Sequence, residues 1–235
     1  MAISFVATGT RSIVDNTATT PSIPAGTTDD DLMLLFDANT GSVVTSAPSG
    51  WTALFEISNG IFHMHVMYRR FVSGDSGPTV DFSSAAGDVH YSVIGSFRGV
   101  VNSGDPTDVL GATSTNASAN DIGPVTGITT TENDAAIIVF AVKGNDSGTI
   151  ATLTGDGLTW ARFDFIDDTV IGDDCTFVAD YALIPTALTV TDKTFDDDAT
   201  SAGTQGVGLS RMLSLVTEGV GGGASPVAFL GSWTS

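Results

Sequence analysis

Basic side chains are scarce in this chain: 8 Lys and Arg stand against 27 Asp and Glu, a formal charge of -19 over 235 residues. A nucleic-acid backbone is repelled by such a surface, so no nucleic-acid partner is expected. Glutamate is almost missing as well, present only as Glu56, Glu132 and Glu218. The acid is therefore nearly all aspartate, which favours turns and disfavours helix interiors, and the charge belongs to loops. Cys175 is the single cysteine, which excludes an internal disulfide and any C-x-x-C metal spacing. No apolar run is long enough for a membrane-spanning helix, and MAISFVATGTRSIVDNT at the start lacks the basic and apolar regions of an export signal. No membrane partner is expected, and the acceptor-like triplets at Asn116 and Asn145 read as plain loop residues.

What is abundant is strand signal. Short runs rich in Val, Ile, Phe, Tyr and Thr alternate with Gly, Pro, Asn and Asp, and no segment keeps a helical period. The runs fall at residues 31–37, 51–57, 61–72, 78–83 and 89–97, then, after a polar stretch at 102–121 read as a loop, at 135–142, 159–166, 175–184, 188–195 and 207–216. The two series match: Asp31 pairs with Asp134, Trp51 with Trp160 and Tyr68 with Tyr181, the offset growing slowly as turn insertions would make it. Two such halves, about 20–101 and 122–217, can bury their apolar faces only against each other. The expectation is an all-β fold, a single jelly-roll-like antiparallel β-sandwich built from two similar halves over residues 1–217. LMLLF and AIIVF are continuous rather than alternating apolar runs, so both faces of those strands need cover, part of it expected from a neighbouring subunit of a homo-oligomer, with a trimer favoured.

Four stretches, IPAGTTDDDLMLLF, APSGWTALF, HVMYRRFVSGDSGPTVDF and SVIGSFRGV, together resemble a pattern found in small β-sandwich proteins of bacteriophage structural gene clusters, head-decoration or tail-surface components. The match covers residues 22–101 and continues more weakly through ENDAAIIVFAV and the second Trp block. Its motifs are structural: Gly26 and Gly50 serve turns, Trp51, Trp160 and Phe97 pack, and Arg98-Gly99 ends a strand. The resemblance implies a virion protein of the outer surface, assembled with other capsid or tail proteins, with no enzymatic activity and no cofactor. A carbohydrate-binding adhesin that meets a host glycan is the alternative from another functional class.

Candidate sites are few. SGDSGP at 73–78 copies the surroundings of a protease serine, but Ser76 comes early, after a strand and before Pro78, so a turn is expected. His63 and His65 share one strand face opposite Phe62, Met64, Val66 and Tyr68, and His90 lies opposite Val89, Tyr91 and Val93. All three are expected on outward faces, as surface or interface histidines, or with His63 and His65 as metal ligands completed by a symmetry mate. The aspartate groups at 29–31, 167–168, 173–174 and 196–198 lack calcium-loop spacing and read as solvated tips. Finally, EGVGGGASPVAFLGSWTS at 218–235 reads as a glycine hinge and an apolar arm whose Phe229, Leu230 and Trp233 would dock on a partner or on the chain's own sheet.

Overall fold

A computed structural model describes residues 1–41, 43–116, 121–144, 149–168, 175–197 and 208–219, and the described residues contain no helix. The first half forms β1 (Ser4–Thr8), β2 (Ser12–Asp15), β3 (Leu32–Asn39), β4 (Thr52–Ser58), β5 (His63–Arg70) and β6 (Val89–Arg98). They make one antiparallel sheet in the order β1-β6-β3-β5-β4, with β2 also on β6. The second half forms β7 (Thr107–Leu110), β8 (Ser114–Asn116), β9 (Ile122–Val125), β10 (Ile128–Thr129), β11 (Ala135–Lys143), β12 (Trp160–Asp168), β13 (Cys175–Ile184), β14 (Thr189–Val190), β15 (Lys193–Phe195) and β16 (Gly208–Leu215). Its main sheet runs β12-β13-β11-β16-β7, with β8 also on β16, and two ribbons, β10-β14 and β15-β9, lie outside it. Reading β7, β8, β11, β12, β13 and β16 as the counterparts of β1 to β6, the two sheets have one topology. Each is completed by one half of the chain, so strands are not exchanged between the layers.

Equivalence extends to irregularities. The β4-β5 register slips between Ala53 and Phe55, and the β12-β13 register slips between Arg162 and Asp164. Those bulges occupy the same place when Trp51 is set on Trp160. The first strand of each half is bulged too, between Phe5 and Ala7 in β1 and opposite Ser214/Leu215 in β7. Trp51 and Trp160 are each 8% exposed. The ladders set Leu32 with Ala136, opposite Phe97 and Leu215 respectively. That alignment shifts one sequence match: the partner of Asp134 is Asp30 rather than Asp31, and both hold a positive φ, 70° and 55°. The polar stretch at 102–121 is likewise not only loop, since it carries β7 and β8, and β1 and β2 belong to the first half ahead of residue 20.

The sheets pack face to face through Leu34, Phe36, Tyr91, Phe97, Ile138, Phe140, Phe163 and Phe177, among others, all fully or almost fully buried. Phe36 and Phe140 are counterparts, and their rings touch at 5.1 Å between centroids. A residue meeting its own equivalent marks a two-fold relation, so a pseudo-dyad passes between these two rings. Tyr91 stacks on Phe177 at 4.6 Å, and Phe163 fills the space that Gly95 leaves, where a Cβ would meet its ring at 2.0 Å. Cys175 lies in this core.

Both faces of the two continuous apolar strands are covered by the chain itself. Met33 and Leu35 on β3 sit under Trp51, Val80 and the half-buried Ile23 and Phe71. Ile137, Val139 and Ala141 on β11 sit under Ile122, Val125, Ile150, Leu153, Trp160 and Phe195. Uncovered apolar strands therefore supply no reason for a homo-oligomer.

Candidate functional site

Chemistry-bearing side chains gather on the outer face of the first sheet. Strand alternation turns Asp37 and Asn39 of β3, His63 and His65 of β5, and His90 and Ser92 of β6 away from the inter-sheet core, as their sequence parity requires. Exposure does not follow. His63, His90, Asp37, Asn39 and Ser92 are 0% exposed and His65 is 3% exposed. The expectation that the histidines decorate an open surface is corrected by the residues laid over them: Thr45 from the β3-β4 connection, Thr17 and Thr19 after β2, and Phe82, whose ring lies 4.5 Å from that of His90.

Within this layer the polar atoms are closely matched. His90 Nδ1 donates to Thr17 O at 2.9 Å, and its Nε2 lies 2.7 Å from Asp37 Oδ1. A carbonyl can only accept, so Nδ1 carries a hydrogen and one further proton lies between Nε2 and Asp37. Thr45 Oγ1 donates to the other carboxylate oxygen at 2.6 Å. His65 Nδ1 donates to Thr45 O at 3.0 Å. Its Nε2 is buried with no hydrogen-bond partner among the described residues. Burial lowers the His65 pKa, against the opposing pull of Asp37 and Glu56. His63 Nε2 meets Glu56 Oε1 at 2.9 Å, and Asn39 closes a turn by bonding the amide and carbonyl of Val43.

His63 and His65, the candidate metal pair, have ring centroids 6.0 Å apart. Each commits one ring nitrogen to a protein partner, and no group of three or more metal-ligating side chains occurs among the described residues. The arrangement fits a locked polar layer that pins the β3-β4 connection to the sheet. Sequence alternation located the face, whereas the connection that buries it left no periodic signal.

A second device joins the separated motifs of the first half. Arg98 at the end of β6 reaches Asp31 in two bonds, Nε to Oδ1 at 2.9 Å and Nη2 to Oδ2 at 2.7 Å, and touches Gly26 O and Thr28 Oγ1 with the same Nη2. Asp31 also takes the Thr28 amide at 2.8 Å. The IPAG-T-T-D-D-D and R-G elements are thus one clamp, a planar fork on a carboxylate. Gly99 follows with φ 80°, where a Cβ would meet Ala2 O at 2.7 Å. The SGDSGP stretch is a turn: the Asp75 amide donates to Val72 O, the Val72 amide donates to the Asp75 carboxylate, and Arg69 pairs with Asp75 at 2.5 Å.

On the second sheet the covering layer is ionic in other places. Lys193 holds Asp156 at 2.5 Å and lies 5.9 Å above the Trp160 ring, while Lys143 pairs with Asp197 at 2.7 Å with both side chains fully buried. Arg162 Nε lies 2.6 Å from Asp180 Oδ1, and the Leu153 amide donates to Asp180 Oδ2 at 2.8 Å. Burial outweighs the arginine and pushes the Asp180 carboxyl up to about 6. A shallow open groove runs beside this layer between residues 127–129 and 189–192. It contains no aromatic side chain. Of the other sequence candidates, Trp51, Trp160 and Phe97 are buried packing residues and Gly50 takes φ 81° in its turn. Phe229, Leu230 and Trp233 lie outside the described residues, as do residues 173–174 and 198 of the aspartate groups. No protein-family model, curated protein or solved structure matches this chain.

Proposed function

We propose that this chain is a structural protein of a bacteriophage particle, placed on its outer surface as a head-decoration or tail component. The observation that carries the reading is the Arg98 clamp: the motifs by which the sequence resembles such proteins meet through Asp31, Thr28 and Gly26 as a mechanical joint. The histidine layer points the same way, because its members hold a connection to a sheet. The glycan-binding alternative is less supported, since an adhesin face of this kind uses exposed rings and Trp51 and Trp160 are both 8% exposed.

Mass spectrometry of gradient-purified particles from the strain carrying the gene is the test. The chain should appear at a copy number that scales with that of a capsid or tail protein and should persist through a high-salt wash. Its absence from intact particles, with the protein found free in the lysate, overturns the proposal.

A further inference from the structure

The pseudo-dyad creates two seams where an edge of one sheet meets an edge of the other, and the seams differ. At the first, Phe5 stacks on Tyr181 with centroids 4.4 Å apart, and Thr8 Oγ1 and Arg11 Nη1 donate to the carbonyls of Phe163 and Phe165, each at 2.8 Å. Arg11 also pairs with Asp164 at 2.8 Å. Side chains from β1 and the residue before β2 thereby cap the outward carbonyls of edge strand β12. At the second seam the ladders put Thr107, Leu110 and Thr113 where Phe5, Thr8 and Arg11 stand. Leucine has no side-chain donor, and threonine offers one short hydroxyl where arginine offers a long guanidinium fork. The shared bulge sets Leu54 and Glu56 of edge strand β4 on Phe163 and Phe165, so their carbonyls face outward too, and no hydrogen bond to either occurs among the described residues. Leu54 and Ile57 are only half-buried here, and Leu110 is 36% exposed.

We propose that the open edge of β4 is a docking site for an added β-strand, supplied by residues 220–235 of the same chain. Reach favours this occupant. Glu218 is held to Gly99 O at 2.7 Å at the end of β6, and only β3 and β5 separate β6 from β4. A strand added beyond β4 lies four strand spacings from β6, about 19 Å, whereas a segment of this length extends to about 50 Å. Pattern favours it as well, because Val227, Phe229 and Trp233 share one parity and would form one apolar face of a strand, matched to the half-buried Leu54, Ile57 and Leu110. Charge decides against a second copy of β4. No charged side chain follows Glu218, whereas a second β4 would bring another Glu56 to the edge of a chain that already carries -19. Tethering adds a high local concentration that a free partner lacks.

Amide hydrogen exchange on the full chain tests this. In an antiparallel ladder the N–H and C=O of one residue point the same way, so the outward Glu56 amide is protected only when a strand is added. It should exchange about 100-fold or more slowly than an unstructured amide. In the full-length variant Phe229→Asp with Trp233→Asp it should return to within about tenfold of the unstructured rate, while the Val66 amide of β5 stays protected and reports an intact fold. Fast exchange of Glu56 in the unmodified chain overturns the proposal, as does protection that survives both substitutions. Protection that rises with protein concentration alongside a dimer mass assigns the edge to a second copy and also overturns it.

Discussion

The outer faces of the two sheets share one register and carry opposite chemistry. Where the first has Asp37, His65 and His90, the ladders place Ala141, Val178 and Gly208 in the second. The exchange runs the other way near the tryptophans: Met67, Ala53 and Val80 of the first face answer to Asp180, Arg162 and Lys193 of the second. Each sheet therefore buries polar groups on its outer face at a position where its counterpart is apolar. The inner faces, which must fit each other across the dyad, are mainly apolar in both, although the second also carries Asp164 and Arg211. A β-sheet tolerates a charged residue on a face wherever a covering loop brings its partner, and the two halves have different covering loops.

Removing one partner should break this contrast most severely. Asp37→Ala makes the first face resemble the second at that position but leaves His90 and Thr45 facing an empty site, and loss of one member of a buried pair costs about 3 to 5 kcal/mol. Chemical denaturation should show that loss, whereas Ala141 occupies the equivalent site of the second sheet with no carboxylate needed. A loss below about 1 kcal/mol, the range of an exposed pair, would mean that the layer is open to water and that the contrast between the faces is superficial.

Acid should act on the two faces with opposite sign. The folded pKa of His65 lies below its ordinary 6.5, so its contribution to stability is present above that value and is lost as pH falls through it. Asp180 is raised from 3.8 to about 6, so the folded state favours its protonated form. Its contribution is fully present below 3.8 and is lost as pH rises through about 6. The shift corresponds to up to about 3 kcal/mol at neutral pH. Denaturation midpoints measured from pH 4 to 8 in Asp180→Asn should lose the second slope, and those in His65→Asn the first. A variant that keeps the slope assigned to its residue refutes that assignment.

The sequence carried the longer strands of the two sheets, the parity of their faces and the Trp51/Trp160 and Tyr68/Tyr181 matches, because each is a local, periodic property of such strands. It missed β1, β2, β7 and β8, which are only three to five residues long, too short to show a period. The Asp31/Asp134 match failed by one residue because a row of three aspartates offers no marker for the left-handed position, which Asp30 occupies. Burial of the histidines was illegible for a different reason. Cover comes from residues 17–19, 45 and 82, which meet the cluster through backbone and side chain only after the sheet has formed. The Arg98 clamp lay between: both ends stood out in the sequence, but their contact spans 67 residues.

The smallest expected effect concerns the two seams. Thr8→Leu with Arg11→Thr gives the capped seam the side chains that its counterpart already has at Leu110 and Thr113. Two hydrogen bonds to carbonyl oxygens and one partly exposed ion pair disappear, while the packing of Phe5 on Tyr181 remains. The Phe165 carbonyl lies at an exposed bond and avoids the penalty of a buried unsatisfied group, the Phe163 carbonyl is only partly shielded, and each lost bond contributes about 0.5 to 1.5 kcal/mol. Asp164 makes the outcome more than a sum, because it keeps the Tyr91 hydroxyl at 2.6 Å but loses its only arginine at that seam within ion-pair distance. Its carboxyl, already raised by burial, should rise further, and the variant should lose stability mainly on the alkaline side of that titration. A double variant as stable as the original chain across pH 4 to 8 would show that the capping side chains follow the closure of the seam rather than stabilise it.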